Sequence, residues 1–306
     1  MIDLHIHTNN SDGKYSVKEL LIMAEKAGLR TISLSDHNSI SAYDELKNIE
    51  IEKYYSGKII PGVEFSIKYQ GKLFHMLGYN FDVEKMNQSK FLDKRRESEI
   101  IQEEKDILDY LIEVCKKMNI KLSDNLDIVH PNDQANEIVK NDMKKYEENT
   151  EILDKLFGKD RKISFWRGHI TNPESPFFID FTKNLPTPEE AANEIHNAGG
   201  LVVLPHVFEY KSIDNIQFLE DMHNLGILDG IECIHNKHTE EKIEYLKNYC
   251  KDKNLFMTGG SDFHSEEKQT LGYGNFRKTE ITDEYFEGLK KQNFLNLLFY
   301  RKKDDI

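Results

Sequence analysis

The sequence predicts an α/β fold, a barrel of strands and helices that carries an inserted helical subdomain. Apolar strand segments alternate with amphipathic helical segments in residues 1–80 and again in 186–306. Most of the strands are uniformly apolar, as is typical of parallel strands buried on both faces. Histidine and acidic residues lie at or just beyond the C-terminal ends of several strands, where (β/α) barrels build their active sites. We therefore favour a closed barrel over an open, doubly wound sheet.

The alternation is clearest near the N-terminus. Ser16 and Glu19 form a capping box for a helix over Val17–Ala27, and a second helix is predicted from Ser41 to about Lys53. The predicted strands of this part are Ile2–Thr8, Thr31–Ser35, Lys58–Phe65 and Phe74–Tyr79.

Residues 81–185 interrupt this pattern and are rich in Lys, Glu, Asp and Asn. Helical periodicity covers Ser89–Met118, Gln134–Tyr146 and Glu151–Phe157. We predict an inserted, mainly helical subdomain that acts as a lid over the strand ends. Arg95 and Arg96 begin the long helix, where a solvated charged face is the favoured interpretation.

The alternation resumes after the insertion. Thr187 and Glu190 form a second capping box, with Pro188 at the first helical position. The remaining predicted elements are the strands Leu201–Leu204, Gly230–His235 and Leu255–Gly260 and the helices Ile213–Leu225 and Thr239–Lys253.

Composition narrows the functional classes. No apolar run approaches the ~18–20 residues of a membrane span. Cys115, Cys233 and Cys250 form no C-x-x-C pair, which favours a reducing, cytoplasmic location over a disulfide framework. Candidate ligands from residue 5 onward argue against a cleaved signal peptide. The net charge of −13 argues against extended DNA binding, although bound cations would still allow a small anionic substrate.

Candidate metal ligands recur at both ends of the chain. His5 and His7 point to the same face because side chains alternate along a strand. A single His-x-His pair is more often part of a buried strand that binds no metal. Here, however, Asp262 and His264 follow the last predicted strand with the same two-residue spacing. The full set of candidates is His5, His7, Asp12, His37, Glu64, His75, His206, Asp262 and His264.

Imidazoles and carboxylates without a thiolate suit Mn²⁺, Zn²⁺ or Fe²⁺ better than Ca²⁺. Nine ligands are too many for one ion, so we predict two or three ions with Glu64 as a bridging carboxylate. Metal ions ~3.5–4 Å apart hold a bridging hydroxide nucleophile and clamp a phosphate oxygen during in-line displacement.

The motifs around these residues resemble the PHP (polymerase and histidinol phosphatase) family of metal-dependent phosphoesterases. The matching segments are Asp3–Thr8, Ser11–Gly13, Ser35–Asn38, Pro61–Ser66, His75–Tyr79, Leu204–His206 and Gly260–His264. The resemblance implies a distorted (β/α)₇ barrel with up to three metal ions at the strand C-termini. The insertion after His75 is similar to the branch that acts on nucleoside 3′,5′-bisphosphates and RNA 5′ ends. That branch usually has Ala-His-Pro where this chain has Leu204-Pro205-His206-Val207.

The resemblance also divides the nine ligands among three ions. The implied sets are His5, His7, Glu64 and Asp262; Glu64, His75 and His206; and Asp12, His37 and His264.

Other residues are candidates for catalysis and substrate binding. Arg167 lies in the insertion and suits bidentate phosphate binding, although a surface arginine is an equally good interpretation. His235 ends a strand on the ligand rim and is a candidate catalytic donor or general acid. Asp262 is the second catalytic candidate. His238, on the following loop, is a candidate substrate donor. We interpret the remaining histidines as structural or surface residues: His130, His169, His196 and His223.

The leading functional prediction is hydrolysis of a terminal phosphate monoester on a small nucleotide, such as a nucleoside 3′,5′-bisphosphate. The alternatives of the same class are a 5′→3′ exonuclease on short RNA and a histidinol-phosphate phosphatase. An alternative of another class is a metal-binding interaction module without turnover. All nine positions carry competent ligands, which favours the enzyme.

Overall fold

The computed structural model describes residues 1–94, 97–210 and 213–286, so Arg95 and Arg96 lie outside the described residues. The chain divides into two compact units: Met1–Asp93 with Leu185–Ile306, and Lys94–Asn184. The second unit begins later than the predicted boundary at residue 81. The reason is that the backbone N–H groups of Asp82 and Asp93 donate to Ala198 (2.9 Å) and Asn38 (2.7 Å) in the first unit.

Seven strands form one sheet in chain order, and they build the predicted barrel. The strands are β1 (Ile2–Ile6), β2 (Thr31–Leu34), β3 (Lys58–Tyr69), β4 (Lys72–Tyr79), β5 (Leu201–Leu204), β6 (Gly230–Ile234) and β7 (Phe256–Gly259). The segment after β7 returns to β1, where the His7 N–H donates to the Phe263 carbonyl (2.9 Å) and the Phe263 N–H to the His5 carbonyl (3.1 Å). These bonds bring the two ends of the sheet together.

The sheet is mixed, whereas strand–helix alternation predicted parallel strands. β4 runs antiparallel to both β3 and β5. The turn between β3 and β4 contains only Gln70 and Gly71, both with positive φ (49° and 73°). Such a two-residue turn makes a hairpin, since a parallel crossover needs about a dozen residues or more.

Helices cover the first unit, and both predicted capping boxes are present, at Ser16–Glu19 and at Thr187–Glu190. Among the residues that the structure describes, the helices of this unit are α1 (Val17–Lys26), α2 (Ser41–Leu46), α3 (Val83–Met86), α7 (Pro188–Asn197), α8 (Asn215–Asn224) and α9 (Glu240–Lys253). α2 is shorter than the helix predicted to Lys53, and a 3₁₀ turn over Ile51–Lys53 follows it.

The second unit is helical and has an apolar core of its own. Its helices are α4 (Glu97–Lys117), α5 (Ala135–Met143), α6 (Thr150–Phe157) and a π-helix over Trp166–Ile170. Leu111 and Cys115 of α4 pack in that core with Val139 of α5 and Phe177. In the described part of either unit, no helix combines the length and apolarity needed to cross a bilayer.

The junction of β7 with β1 yields a first prediction. A Cβ added at Gly260 would lie 2.1 Å from His5 Cβ and 2.8 Å from the His5 backbone nitrogen. Gly260→Ala should therefore displace His5 and lower the free energy of unfolding by about 1–3 kcal/mol. The measurement is urea denaturation of the metal-free protein, followed by titration with Zn²⁺.

Gly28→Ala is the control, because Gly28 has a positive φ (72°) but open space around the missing Cβ. It should cost about 1 kcal/mol from backbone conformation alone and leave Zn²⁺ affinity unchanged. Equal Zn²⁺ affinity in both variants would contradict the close junction at His5.

Candidate metal centre

Glu64 of β3 lies at the centre of the predicted ligand cluster. Its side chain is buried, and ring nitrogens of five histidines surround its two oxygens. Oε2 lies 3.2 Å from His5 Nε2, 3.3 Å from His7 Nε2 and 3.1 Å from His37 Nδ1. Oε1 lies 3.4 Å from His75 Nδ1 and 2.8 Å from His206 Nε2.

The sheet explains this convergence. His5 lies in β1 and His7 follows it, so both point inward. His37 follows β2 and bridges to Glu64 in β3. His75 stands early in β4, opposite Ser66. Because β4 runs backwards, its first residues lie at the same edge of the sheet as the last residues of the parallel strands.

Two aspartates complete the cluster. Asp262 Oδ1 lies 3.2 Å from His7 Nε2 and 3.5 Å from His5 Nε2. Asp12 Oδ2 lies 3.1 Å from His264 Nε2, and Asp12 Oδ1 lies 3.5 Å from His7 Nδ1. All nine predicted ligands are thus brought to one place.

In the described part of the chain, three groups of candidate ligand atoms each fit within 4.8 Å: His5, His7, Glu64 and Asp262; His7, Asp12, His37 and His264; and His37, Glu64 and His75. The first group equals one of the sets implied by the family resemblance. The other two differ because the rings of His7 and His37 each turn one nitrogen toward Glu64 and the other toward Asp12.

The donor atoms fit divalent cations. Within the described residues, the buried atoms that form no hydrogen bond include Glu64 Oε2, His5 Nε2 and both ring nitrogens of His7. Three ring nitrogens face Glu64 Oε2, which has too few lone pairs to accept well-aligned hydrogen bonds from all of them. A cation placed among nitrogen and oxygen donors satisfies them together.

The electrostatics of the cluster depend on these pairs. Burial by itself raises the pKa of Glu64, but the imidazoles of His37 and His5 outweigh burial and hold the pKa well below its ordinary value. Burial lowers the pKa of His7, yet the carboxylates of Asp262 and Glu64 raise it to about 10. The metal-free cluster therefore retains protons on histidine, and metal binding has to displace them.

Sequence reasoning missed three buried carboxylates beside the cluster. Asp3 accepts hydrogen bonds from the Ser261 N–H (2.9 Å) and the Ser261 hydroxyl (2.6 Å), which fixes the residue before Asp262. Asp36 accepts from Thr8 N–H (2.7 Å), and Glu232 contacts His5. Each of these acidic residues lies within or just after an apolar strand. That position was the signal that the sequence offered, because a buried charge needs hydrogen-bond or ionic partners.

His235 and His238 are almost fully buried, and His235 lies beside Asp262. His235 Nε2 donates to Asp262 Oδ2 (3.3 Å), while its Nδ1 accepts from the Lys237 N–H (3.3 Å). His238 Nδ1 lies 3.1 Å from the Cys233 carbonyl, and its ring centroid lies 5.3 Å from that of His235. Burial and the nearby His235 keep the pKa of His238 well below its ordinary value. The structure thus places His238 as a buried ring packed against His235, and its role as a substrate donor stays a prediction.

Arg167 lies in the π-helix of the second unit and is half-buried. Two residues that flank Arg167 in the sequence are held in place inside the same unit. Phe165 is buried in the core of the unit, and both ring nitrogens of His169 are engaged, with the Ser175 hydroxyl (3.1 Å) and the Leu156 carbonyl (2.8 Å). Trp166 and His169 are both partly exposed.

The profile of the PHP domain matches residues 3–174, more than half of the chain. The chain belongs to the PHP domain family. The predicted family and barrel are thereby confirmed, and this PHP protein is an enzyme that hydrolyses phosphate esters with the help of metal ions.

Relatives of this PHP protein extend the match over most of the chain. A 5′-3′ exoribonuclease from Haemophilus influenzae is 26% identical over 271 residues, which cover 86% of this chain and 89% of that protein. A candidate metal-dependent phosphoesterase from Bifidobacterium adolescentis has a similar fold (TM-score 0.60, 22% identity, 93% of both chains). So does an amidohydrolase from Chromobacterium violaceum (TM-score 0.62, 20% identity, 89% and 90% of the chains).

Glu64 and Asp262 provide a second prediction. Glu64→Gln and Asp262→Asn keep the side-chain shape but remove a negative charge that faces several imidazoles. Each should lower the metal content of the reconstituted protein by at least one ion and the rate of hydrolysis by roughly 10²-fold or more. Elemental analysis and hydrolysis of an aryl phosphate measure the two effects.

Glu267→Gln is the matched control, since Glu267 is exposed and pairs with Lys14 (2.8 Å) on the surface of the same unit. It should retain full metal content and full activity. Normal metal content and activity in Glu64→Gln would remove Glu64 from the centre of the site.

Proposed function

We propose that this PHP protein is a 5′→3′ exonuclease on short RNA, which cleaves the phosphate ester on the 3′ side of the terminal nucleotide. The observation that carries the proposal is the match to an exoribonuclease over 86% of this chain and 89% of that relative. The net charge of −13 supports a short substrate, because a long nucleic-acid footprint needs many cationic contacts.

A second candidate is a phosphatase for nucleoside 3′,5′-bisphosphates. The two substrates share a chemical unit, a 5′-phosphorylated nucleotide with an ester at its 3′-oxygen. They differ only in what lies beyond the scissile phosphorus, which is a further nucleotide in RNA and free oxygens in the bisphosphate. The acidic charge balance favours this smaller substrate as much as a short RNA.

The proposed cofactors are two or three ions of Mn²⁺, Zn²⁺ or Fe²⁺, held by the nine residues around Glu64. Bound there, such ions activate water and offset the charge that develops on the phosphoryl oxygens. Glu64 links the ligand groups because each of its oxygens faces histidines from different strands. Three buried free thiols support the proposed cytoplasmic location.

The protein residues orient the reacting groups. His235 carries its proton on Nε2, where it donates to Asp262 Oδ2, so it fixes the direction of that carboxylate. In the proposed reaction His235 also supplies a proton to the leaving oxygen after the ester bond breaks. Arg167 of the second unit binds the 5′-phosphate, for which a guanidinium offers two parallel N–H donors.

A substrate panel distinguishes the candidates. The panel contains a 5′-phosphorylated pentaribonucleotide, its 5′-hydroxyl form, the matching deoxyribonucleotide and adenosine 3′,5′-bisphosphate. We expect 5′-mononucleotides to be released one at a time from the phosphorylated RNA and hydrolysis of the 5′-hydroxyl form to be at least ~10-fold slower, because one charge-assisted contact is lost. Turnover of the bisphosphate alone would establish the second candidate, and release of nucleotides from the 3′ end would contradict both.

Arg167→Ala tests the proposed phosphate contact. The variant should raise KM for the 5′-phosphorylated substrates by roughly 10–150-fold, the loss expected for one charged hydrogen-bonding partner of about 1.5–3 kcal/mol. KM for p-nitrophenyl phosphate, which has no second phosphate, should stay within about twofold if the loss is confined to that partner.

Arg161→Ala is the control, because Arg161 lies in the same unit and pairs with Asp154 (2.8 Å). It should leave KM for every substrate unchanged. Equal KM increases on all substrates with Arg167→Ala would indicate a structural role, and no increase would place Arg167 away from the substrate.

A further inference from the structure

Glu232 stands in the middle of β6 and has no exposed surface. The residues on either side of it, Ile231 and Cys233, are apolar and buried. An ionised carboxylate in such a position is costly unless hydrogen bonds compensate for the lost hydration. The hydrogen-bond partners of Glu232 therefore identify the groups that this carboxylate holds in place.

Each oxygen of Glu232 contacts a different predicted metal ligand. Oε1 lies 2.9 Å from Nδ1 of His5 on β1. Oε2 accepts the backbone N–H of His206, just after β5, at 2.9 Å. Gly260 leaves room for this arrangement, since a Cβ there would lie 2.9 Å from Glu232 Oε1. One carboxylate on β6 thus connects ligands from two other strands.

The contact with His5 determines which ring nitrogen carries the proton. An ionised carboxylate only accepts hydrogen bonds, so His5 Nδ1 must be the donor. In the neutral ring, Nε2 then carries the lone pair, and Nε2 is the atom that faces Glu64 Oε2 (3.2 Å) and Asp262 Oδ1 (3.5 Å). Glu232 therefore turns the metal-binding nitrogen of His5 into the cluster.

The contact with His206 acts on the backbone. His206 has a left-handed conformation (φ 30°, ψ 46°), which a residue other than glycine adopts at a cost in free energy. The hydrogen bond from its N–H to Glu232 compensates for part of this cost. The same conformation directs the ring so that Nε2 lies 2.8 Å from Glu64 Oε1.

We propose that Glu232 is a positioning residue of the metal centre, which fixes the tautomer of His5 and the backbone of His206 with one carboxylate. The inference rests on the metal centre of the proposed function but not on its substrate. Glu232 binds no ion itself, and it acts through two residues that do.

Glu232→Gln is the decisive variant because it keeps the size of the side chain. An amide offers one oxygen and one NH₂ group, whereas both contacts of Glu232 require an acceptor. If the amide oxygen accepts from His206, the NH₂ group donates to His5 Nδ1 and forces the proton of His5 onto Nε2. We expect Zn²⁺ affinity, measured by chelator competition, to fall by about 10–100-fold.

Two further variants separate positioning from other effects. Asp36→Asn also changes a buried carboxylate near the cluster, but the hydrogen bonds that Asp36 accepts come from Thr8 and Ser11. It should weaken Zn²⁺ binding much less than Glu232→Gln. Glu232→Ala should weaken it at least as much, and it should also lower the thermal stability of the metal-free protein.

The tautomer of His5 is read directly from imidazole ¹⁵N chemical shifts of the Zn²⁺-loaded protein. Wild type should show a protonated Nδ1 on His5, and this signature should be lost in Glu232→Gln and retained in Asp36→Asn. Wild-type Zn²⁺ affinity in Glu232→Gln would overturn the proposal. Equal losses of Zn²⁺ affinity in Glu232→Gln and Asp36→Asn, with the His5 tautomer unchanged, would also overturn it. The removal of a buried carboxylate charge would then explain both losses. Zn²⁺ affinity involves no substrate, so the result stands whichever phosphate ester the enzyme cleaves.

Discussion

Five imidazoles converge on the buried carboxylate of Glu64, and the rest of the barrel unit is arranged around that contact. A buried carboxylate is costly in an apolar interior without a positive partner, and buried ring nitrogens need hydrogen-bond partners or a cation. In the metal-free protein a proton on His7, whose pKa is raised to about 10, supplies positive charge beside Glu64, and the donor set fits cations that would replace it. The fold therefore has to hold residues from many strands within about one hydrogen-bond length of each other.

The mixed sheet makes this convergence possible. A hairpin at Gln70–Gly71 reverses β4, so His75 reaches the cluster from the first half of its strand and not from the end. Closure of the sheet through Phe263 carries Asp262 to His5 and His7. The exchange of one parallel strand for an antiparallel one thus distorts the barrel without moving its ligands away from the common edge.

Buried carboxylates around the cluster restrict the freedom of the ligands. Asp3 holds Ser261, Asp36 holds Thr8, and Glu232 holds His5 and His206. Each of these acids accepts hydrogen bonds from groups adjacent to, or part of, a predicted ligand. Their placement reduces the entropy that a metal ion or a substrate would otherwise have to remove on binding.

The sequence by itself determined the family, the barrel, the nine candidate ligands and both capping boxes, because each depends on residue types at short, fixed spacings. His5 and His7 share a face wherever a strand forms, and Ser16 caps a helix wherever Glu19 follows it. Only the tertiary structure decided that β4 is antiparallel, that His7 and His37 face two groups each, and that His238 and Phe165 are buried. It also decided that Glu232 faces His5 and His206. These features depend on contacts between residues far apart in the chain, where no local spacing specifies which nitrogen meets which oxygen.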